Sequence, residues 1–323
     1  MLVASLAILA GFILLVWSAD RFVEGAAATA KYAGMPSLLI GMVIVGFGTS
    51  APEMVVSAMA AIDGNPDLAL GNALGSNIVN TGLILGLTAI ITPILVQSKI
   101  VRKEIPLLLL ISSALGYFLW DGSLTRFESV LLLVGFFTLI GWSIYSAMRG
   151  KGDKLESEMD QELVEHEMPI KKAIFWLVIG LILLIVSSRV LVWGAVSIAE
   201  ALGVSDLIIG LTIVALGTSL PELAASIIAV RKGEHDIAIG NVVGSNIFNI
   251  LAVLGLSGLL SPTPLLASEQ LSQIDFPVMV AVAVLCLPLF FLGSTLNRFE
   301  GFLFLLLYVA YVWFTIAIAL SLP

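Results

Sequence analysis

Charged residues are scarce in this sequence of 323 residues. Asp, Glu, Lys and Arg together make up 12% of it, against about 25% in ordinary soluble domains. Hydrophobic residues make up 59%, and the mean hydropathy is +1.09. A surface this poor in charge cannot face water over most of its area, which excludes a soluble globular fold. The composition predicts a polytopic membrane protein in contact with lipid.

Cysteine, histidine and catalytic motifs are scarce as well. The single cysteine, Cys286, cannot form an intramolecular disulfide, and His166 and His235 lie in predicted loops. The sequence contains no Walker-type loop, dinucleotide fingerprint or nucleophile elbow, so we expect neither an enzyme nor an ATP-driven pump. The acidic net charge of -8 gives no reason to expect a nucleic-acid partner. We expect no cofactor and no obligatory protein partner, and we expect the protein to contact membrane lipid.

Long apolar runs, in contrast, are abundant. Each is close to the roughly 20 residues that a membrane-spanning helix needs. The ten runs fall near 2–19, 36–62, 68–93, 105–120, 127–147, 173–193, 207–230, 236–261, 276–293 and 299–320. Strand-like alternation is absent from them, and open sheets cannot satisfy their edges in lipid, so we predict ten transmembrane helices and an all-α fold. The first run lacks the basic start of a signal peptide, and we expect it to remain as a span.

The basic residues predict the orientation of these spans. When each of the 15 Lys and Arg is assigned to its nearest loop, all fall on one side except Arg126 and Arg189. The positive-inside rule makes that side cytoplasmic and places both termini on the extracellular or periplasmic side. We therefore expect a multi-pass protein of the cell's inner, cytoplasmic membrane. Asp20, Arg21, Glu24 and Arg189 lie near the predicted span ends, where snorkelling or interfacial pairing explains them.

Two motifs occur twice at one spacing. IGMVIVGFGTSAPE at 40–53 matches IGLTIVALGTSLPE at 209–222, and GNALGSNIVN at 71–80 matches GNVVGSNIFN at 240–249. The distance in sequence between the two copies, here called the repeat interval, is the same for both motifs, so no insertion separates the motifs in either half. Because each half has five spans, the second enters the membrane from the opposite side. We predict two inverted five-helix repeats, 1–147 and 173–323, joined by a cytoplasmic linker, 148–172.

The first motif places acids inside the membrane. Gly48 and Pro52 weaken the helix, and the proline frees the carbonyl of Gly48. Thr49 and Ser50 precede Glu53 by four and three residues, so their oxygens are predicted to share one helix face with the carboxylate. An ionised glutamate at the bilayer centre costs about 2.5 to 3.5 kcal/mol on insertion scales. The second half repeats this arrangement with Gly217, Thr218, Ser219, Pro221 and Glu222. A cation shared by the two glutamates would compensate both charges.

The second motif adds neutral oxygens. Ser76 and Asn80 are four residues apart, as are Ser245 and Asn249, so each pair shares a helix face. With the glutamates they form an all-oxygen set that suits hard ions, and its charge of -2 matches one Ca2+ or at least two Na+. Neither motif contains His or Cys, which disfavours zinc, copper and iron. Asn72 and Asn241 are expected to supply turn or helix-capping groups.

These paired motifs closely resemble the sodium/calcium exchanger family of the cation/calcium antiporters, in its compact prokaryotic form. The resemblance implies that Glu53 and Glu222 are the central calcium ligands, together with backbone oxygens of Thr49 and Thr218. It further implies that sodium sites lie beside them and that two amides face the centre. The residues so implied are Ser50, Ser76, Ser219, Ser245, the carbonyls of Gly46 and Ala215, and the amides of Asn80 and Asn249. Aspartate commonly occupies the place of Asn249 in the family, so this chain has two core acids rather than three.

We expect a secondary active antiporter that moves Ca2+ out of the cytoplasm in exchange for Na+. Both ions would compete for Glu53 and Glu222, and the empty site would resist the switch between outward and inward states. Spans 1 and 6 are the expected sliding elements. Two alternatives stay open at this point. The first is a proton-coupled exchanger of Ca2+ or another divalent cation, and the second is a passive cation channel.

Overall fold

The computed structural model describes residues 1–34, 37–96, 101–149, 168–203, 215–292 and 295–321. The helices before the predicted linker are α1 (Leu2–Ala33), α2 (Leu38–Thr49), α3 (Ala51–Ile62), α4 (Pro66–Ile91), α5 (Val101–Phe118) and α6 (Arg126–Arg149). Those after it are α7 (Ile170–Ala201), α8 (Ala215–Thr218), α9 (Leu220–Arg231), α10 (His235–Leu260), α11 (Phe276–Leu292) and α12 (Arg298–Ser321).

Short strands join helix ends of the two halves, a feature absent from the all-α expectation. The strands are β1 (Ile94–Leu95), β2 (Ser123–Leu124), β3 (Leu265–Leu266) and β4 (Thr295–Leu296). β1 pairs antiparallel with β4, and β2 pairs antiparallel with β3. Since each strand has only two residues, the fold stays helical.

The helices have the length and apolar composition of membrane spans. Within the described ranges seven helices could cross a membrane, or eight if α2 and α3, which meet at a bend of 45°, form one span. The protein is therefore a multi-pass integral membrane protein, as the composition predicted. The predicted seventh span, 207–230, is described only from Ala215 onward, and most of the predicted linker, 148–172, lies outside the described residues.

The first helix is longer than predicted, because nothing near Asp20 ends it. Charges do not break a helix, and here they are paired: Arg21 Nη1 lies 2.8 Å from Glu24 Oε2, and Lys232 Nζ lies 2.9 Å from Asp20 Oδ1. The helix ends instead at Gly34, which has a left-handed φ of 60°. Asp20, Arg21 and Glu24 therefore lie within α1 and not at its end, since α1 continues past them to Ala33.

The helices that carry the second motif lie at the centre of the molecule. The most apolar window of α10 is entirely buried and that of α4 is 72% buried, whereas α6 is only 11% buried. Glycines allow α10 to approach α2 closely: a Cβ at Gly240 would lie 2.5 Å from the carbonyl oxygen of Leu38, and one at Gly244 would lie 2.6 Å from Cα of Met42. α1 and α7 pack against each other at the periphery, where they leave much of their surface to lipid.

Candidate functional site

Both copies of the first motif interrupt a helix. α2 ends at Thr49 and α3 begins at Ala51, with Ser50 between them at φ -79° and ψ 4°; Ser219, at φ -91° and ψ 7°, separates α8 from α9 in the same way. The proline then falls in the first turn of the new helix, where its missing N–H costs no hydrogen bond. Each glutamate also lies in a first turn, where the positive end of the helix dipole favours its negative charge.

The two glutamates meet in the interior. Glu53 and Glu222 are each 1% exposed, and their charges repel each other. The Ser219 hydroxyl donates to Glu53 Oε1 at 3.2 Å, and the Ser50 hydroxyl donates to Glu222 Oε1 at 3.3 Å. Each carboxylate is therefore bound by the serine of the other half of the chain.

This exchange of partners corrects the prediction that Thr49, Ser50 and Glu53 share one helix face. The predicted spacing assumed a continuous helix, whereas the break at Ser50 turns its hydroxyl toward the opposite glutamate. The threonines follow the same rule, since Thr49 lies beside the Glu222 carboxylate and Thr218 beside that of Glu53.

Four asparagines form a crosswise network between α4 and α10. Asn80 Nδ2 donates to Asn246 Oδ1, and Asn249 Nδ2 donates to Asn77 Oδ1, both at 3.0 Å. Asn80 and Asn249, which the repeat interval relates, lie at the starts of the π-helical turns Val79–Leu85 and Asn249–Leu254, which widen α4 and α10. The amide nitrogens of Asn80 and Asn249 each donate a hydrogen bond to the other half of the chain. The amide oxygens of Asn80 and Asn249 therefore point away from those bonds.

Four side-chain oxygens of this cluster have no hydrogen-bond partner in the described part of the chain. They are Glu53 Oε2, Glu222 Oε2, Asn80 Oδ1 and Asn249 Oδ1, all buried. Buried polar atoms are nearly always satisfied, and leaving one unpaired costs about 1 to 3 kcal/mol, or more when it is charged. The four form two pairs, and the repeat interval separates the members of each pair. Two carboxylate oxygens and two amide oxygens have the donor chemistry of a hard-cation site.

Asn72 and Asn241 hold the motif helices in place and do not cap helices, so that prediction is wrong. Both lie inside helices. Asn72 Nδ2 donates to the Glu53 carbonyl at 3.2 Å and to the Ser57 hydroxyl at 2.8 Å. Asn241 Nδ2 makes the equivalent bonds to the Glu222 carbonyl at 3.0 Å and the Ser226 hydroxyl at 2.9 Å. The position of each glutamate is thus tied to the neighbouring helix.

The remaining predicted hydroxyls and carbonyls lie on the helices that carry the motifs. The Thr49 hydroxyl donates to the Val45 carbonyl at 3.0 Å and lies 3.1 Å from Asn241 Oδ1. The Ser245 hydroxyl donates to the Gly46 carbonyl at 3.3 Å, which links the two predicted ligands directly. Ser76 and Ser245 are buried, and Ala215, the counterpart of Gly46, begins α8.

The carbonyl that the proline frees has a protein partner in the second half of the chain. The Ser188 hydroxyl of α7 donates to the Gly217 carbonyl at 2.8 Å. The first-half counterpart, Gly48, packs closely against the side chain of Leu181, also from α7. The freed carbonyl of Gly217 is therefore satisfied by a hydroxyl of the protein.

Sequence reasoning missed three residues that hold this region together. Asn77 and Asn246 stand in the repeated GSN sequence, so the duplication itself could have identified them. Ser188 has no signal of this kind, since its counterpart is Ala19. The described residues contain no cluster of three or more His, Cys, Asp and Glu, so the site offers two carboxylates with amide, hydroxyl and carbonyl oxygens.

Comparison with known proteins shows strong similarity over nearly the whole chain. The family model described as "Sodium/calcium exchanger protein" matches residues 3–145 and 172–317. The chain is 48% identical to the CaxA protein of Alkalimonas amylolytica, over 96% of this chain and 98% of that one. It is 32% identical to the sodium/calcium exchanger MaX1 of Methanosarcina acetivorans, over 95% and 97%. A solved structure of the sodium-calcium exchanger NCX_Mj, soaked with 2.5 mM Na+ and 1 mM Sr2+, superimposes with a TM-score of 0.83 at 34% identity, covering 100% and 99%.

Proposed function

Because the chain belongs to the sodium/calcium exchanger family, we propose that it is a secondary active antiporter that exchanges Ca2+ for Na+ across the cell's inner membrane. Its family is the one that the duplicated motifs resemble. The proposal makes the protein a transporter and not an enzyme, with Ca2+ and Na+ as its substrates.

The observation that carries this proposal is that Glu53, Glu222, Asn80 and Asn249 each have one buried side-chain oxygen without a hydrogen-bond partner. Two carboxylates at 1% exposure repel each other and have lost their hydration, so the empty ionised pair is costly. One Ca2+ would neutralise the charge of -2 and accept all four oxygens as ligands. Asn80 and Asn249 add oxygen ligands without adding charge, so a divalent ion balances the site.

We propose that sodium uses the neutral oxygens beside the carboxylates. Na+ is a hard cation, and the hydroxyl and carbonyl oxygens around each glutamate suit it. In this proposal the sodium positions are lined by Ser50, Ser76, Ser219, Ser245 and the carbonyls of Gly46 and Ala215, while backbone oxygens of Thr49 and Thr218 complete the calcium shell. Sodium and calcium would then compete for the same two glutamates, which couples their movements.

Alternating access follows from the charge of the site. Binding of either substrate neutralises the glutamates, and the neutral site can pass between its outward and inward forms, whereas the empty site resists the change. The proposed topology has ten spans in two inverted repeats, 1–147 and 173–323, with both termini outside and 148–172 in the cytoplasm. The common spacing of the motifs and the distribution of Lys and Arg support it.

The test is radioactive Ca2+ uptake into vesicles that contain only the purified protein. Sodium, proton and potassium gradients are imposed in separate samples. We expect saturable uptake that requires Na+ inside the vesicles and runs with its outward gradient. Uptake driven by a proton gradient alone would replace this proposal by proton-coupled exchange. Uptake that needs no counter-ion and does not saturate would indicate a channel.

A further inference from the structure

The two-fold relation extends beyond the motifs into the long helices α1 and α7. A Cβ at Gly11 would lie 3.0 Å from the backbone nitrogen of Leu191, and a Cβ at Gly180 would lie 2.9 Å from that of Phe22. Gly180 follows Gly11 by the repeat interval, and Leu191 follows Phe22 by the same interval. The contacts between α1 and α7 are therefore related by the same repeat interval as Glu53 and Glu222.

The repeat interval also relates charged residues of the two halves, and in each case the residue in one half has the opposite charge to its counterpart in the other. Asp20 of α1 corresponds to Arg189 of α7, and Lys232, at the end of α9, corresponds to Asp63, at the end of α3. Asp63 and Lys232 occupy the same structural position, the C-cap of a motif helix, and each precedes a glycine with positive φ. Each of the pairs Asp20–Lys232 and Asp63–Arg189 thus combines a long peripheral helix of one half with a turn of the other half.

Only one of the two pairs is formed. Lys232 Nζ lies 2.9 Å from Asp20 Oδ1, and Arg21 Nη2 lies 3.7 Å from the other oxygen of the same carboxylate. Arg189 and Asp63 both belong to the described part of the chain, and no ion pair joins them. A perfect two-fold would make both contacts or neither, so the molecule departs from symmetry here.

The cavities lined by corresponding residues of the two halves also differ, and the smaller one lies on the side of the formed ion pair. Leu70, Leu74 and Tyr117 line a cleft of about 570 Å³ between α4, α5 and the start of α11. Their counterparts in the second half line a cavity of only about 10 Å³. These counterparts are Ile239, Val243 and Cys286. In the proposed topology the open cleft is on the outer side and the closed cavity on the cytoplasmic side, which is also the side of the formed ion pair.

We propose that Asp20–Lys232 and Asp63–Arg189 are alternating ion pairs, one closing the cytoplasmic side and the other closing the outer side. In inverted-repeat transporters the second state arises when the two halves exchange conformations. That exchange would separate Asp20 from Lys232 and bring Arg189 to Asp63. The inference rests on the proposed function in that it requires two alternating states.

The residue types support this assignment. An acid at a helix C-terminus opposes the helix dipole, so Asp63 is unfavourable at its own position and calls for a cationic partner. Arg189 is the one charged residue between Ala173 and Ala199 of α7, where a charge is costly without a partner. Lys232, by contrast, suits both its helix end and the cytoplasmic side.

Cysteine crosslinking tests the alternation without measuring transport. In a Cys286→Ala background, cysteines replace Asp20, Lys232, Asp63 and Arg189 together, and a short bifunctional maleimide is added to the full-length protein in vesicles. We expect each molecule to carry the 20–232 link or the 63–189 link, and never both, when the linked peptides are identified by mass spectrometry. Molecules with both links, or no 63–189 link under any ion gradient, would overturn the proposal.

A second measurement tests the charges of the outer pair. In the background with cysteines at 20 and 232 only, Asp63→Asn should raise the yield of their link about two- to fivefold, because an exposed ion pair contributes little more than that to a population ratio. Exchanging the charges with Asp63→Arg and Arg189→Asp should return the yield to its starting value. Glu200→Gln, which neutralises an acid of α7 outside both ion pairs, is the control and should change nothing. No change with Asp63→Asn would also overturn the proposal.

These results separate this inference from the proposed function. If the two links exclude each other while sodium fails to drive Ca2+ uptake, the alternating ion pairs are supported and the proposed substrates are wrong. If sodium drives Ca2+ uptake while both links form in one molecule, the proposed substrates are supported and the alternating ion pairs are wrong.

Discussion

Asn72 and Asn241 make the same two hydrogen bonds in the two halves of the chain, whereas Ser188 and Ala19, which also correspond, do not. Asn72 and Asn241 each bind a glutamate carbonyl and a serine hydroxyl on the adjacent helix. Ser188 binds the carbonyl of Gly217, and an alanine side chain cannot make such a bond. The hydrogen bonds that hold the two glutamates are thus the same in both halves, whereas the bond between a motif helix and the peripheral helix α7 occurs in only one half.

The difference separates two roles. A symmetric cluster presents the same ligands to an ion whichever side is open, so its chemistry does not depend on the state of the transporter. Two identical halves would also make the two states equal in energy, because each state is the other with the halves exchanged. Contacts that occur in only one half break this equality and set the populations.

The largest expected effect tests the symmetric part. Glu53→Gln and Glu222→Gln should each abolish sodium-driven Ca2+ uptake, by at least about a hundredfold, because either change removes half of the charge that balances Ca2+. The two losses should be equal, since the glutamates accept hydrogen bonds from corresponding serines and are buried to the same extent. Uptake into vesicles measures the effect.

Glu200→Gln is the matched control, since it removes an exposed acid of α7 that lies outside the cluster. Its uptake should equal that of the unaltered protein. If either central variant kept most of its uptake, the shared site would be wrong, and a loss in only one of them would show that the halves differ at the ion.

A smaller effect is expected from the residues that orient the amides. Asn77→Ala and Asn246→Ala should each weaken Ca2+ binding about 10- to 100-fold, as is typical when a residue that orients a metal ligand is removed. The change frees the amide nitrogen of Asn249 or Asn80, whose oxygen then loses its fixed direction. Equilibrium binding of Ca2+ to the purified protein measures it.

The two variants also probe where the symmetry ends. Asn246 Nδ2 donates to the Thr81 hydroxyl, whereas Asn77 Nδ2 donates to the Asn246 carbonyl. Thr81→Val should therefore reproduce part of the Asn246→Ala loss and leave the Asn77 side intact. Ser112→Ala, which removes a buried hydroxyl bonded only within its own helix, is the control. Unchanged binding in both asparagine variants would contradict a positioning role.

Sequence reasoning reached the glutamates and the amides because duplication identified them. It could not anticipate that Ser50 binds the opposite glutamate, since the spacing rule assumed an unbroken helix at a residue that in fact separates two helices. It also ended the first span near Asp20, because hydropathy falls at charged residues, although such residues do not end a helix. Ser188 could not be identified from the repeats, because its counterpart, Ala19, has no hydroxyl.

The smallest expected effect tests the asymmetric part. The bond from the Ser188 hydroxyl to the Gly217 carbonyl exists in this state, and a typical buried hydrogen bond contributes about 1 kcal/mol, or about fivefold in a population ratio. Ser188→Ala should shift molecules by about that factor toward the other state, which raises the yield of a 63–189 crosslink. Ala19→Ser should shift them the same way, because it offers Gly48 the equivalent hydroxyl only after the halves exchange conformations. Ser187→Ala is the control, since that hydroxyl donates to Leu184 within α7 and should leave the ratio unchanged. A shift from Ser187→Ala as large as that from Ser188→Ala would mean that the packing of α7, and not its bond to α8, sets the balance between the states.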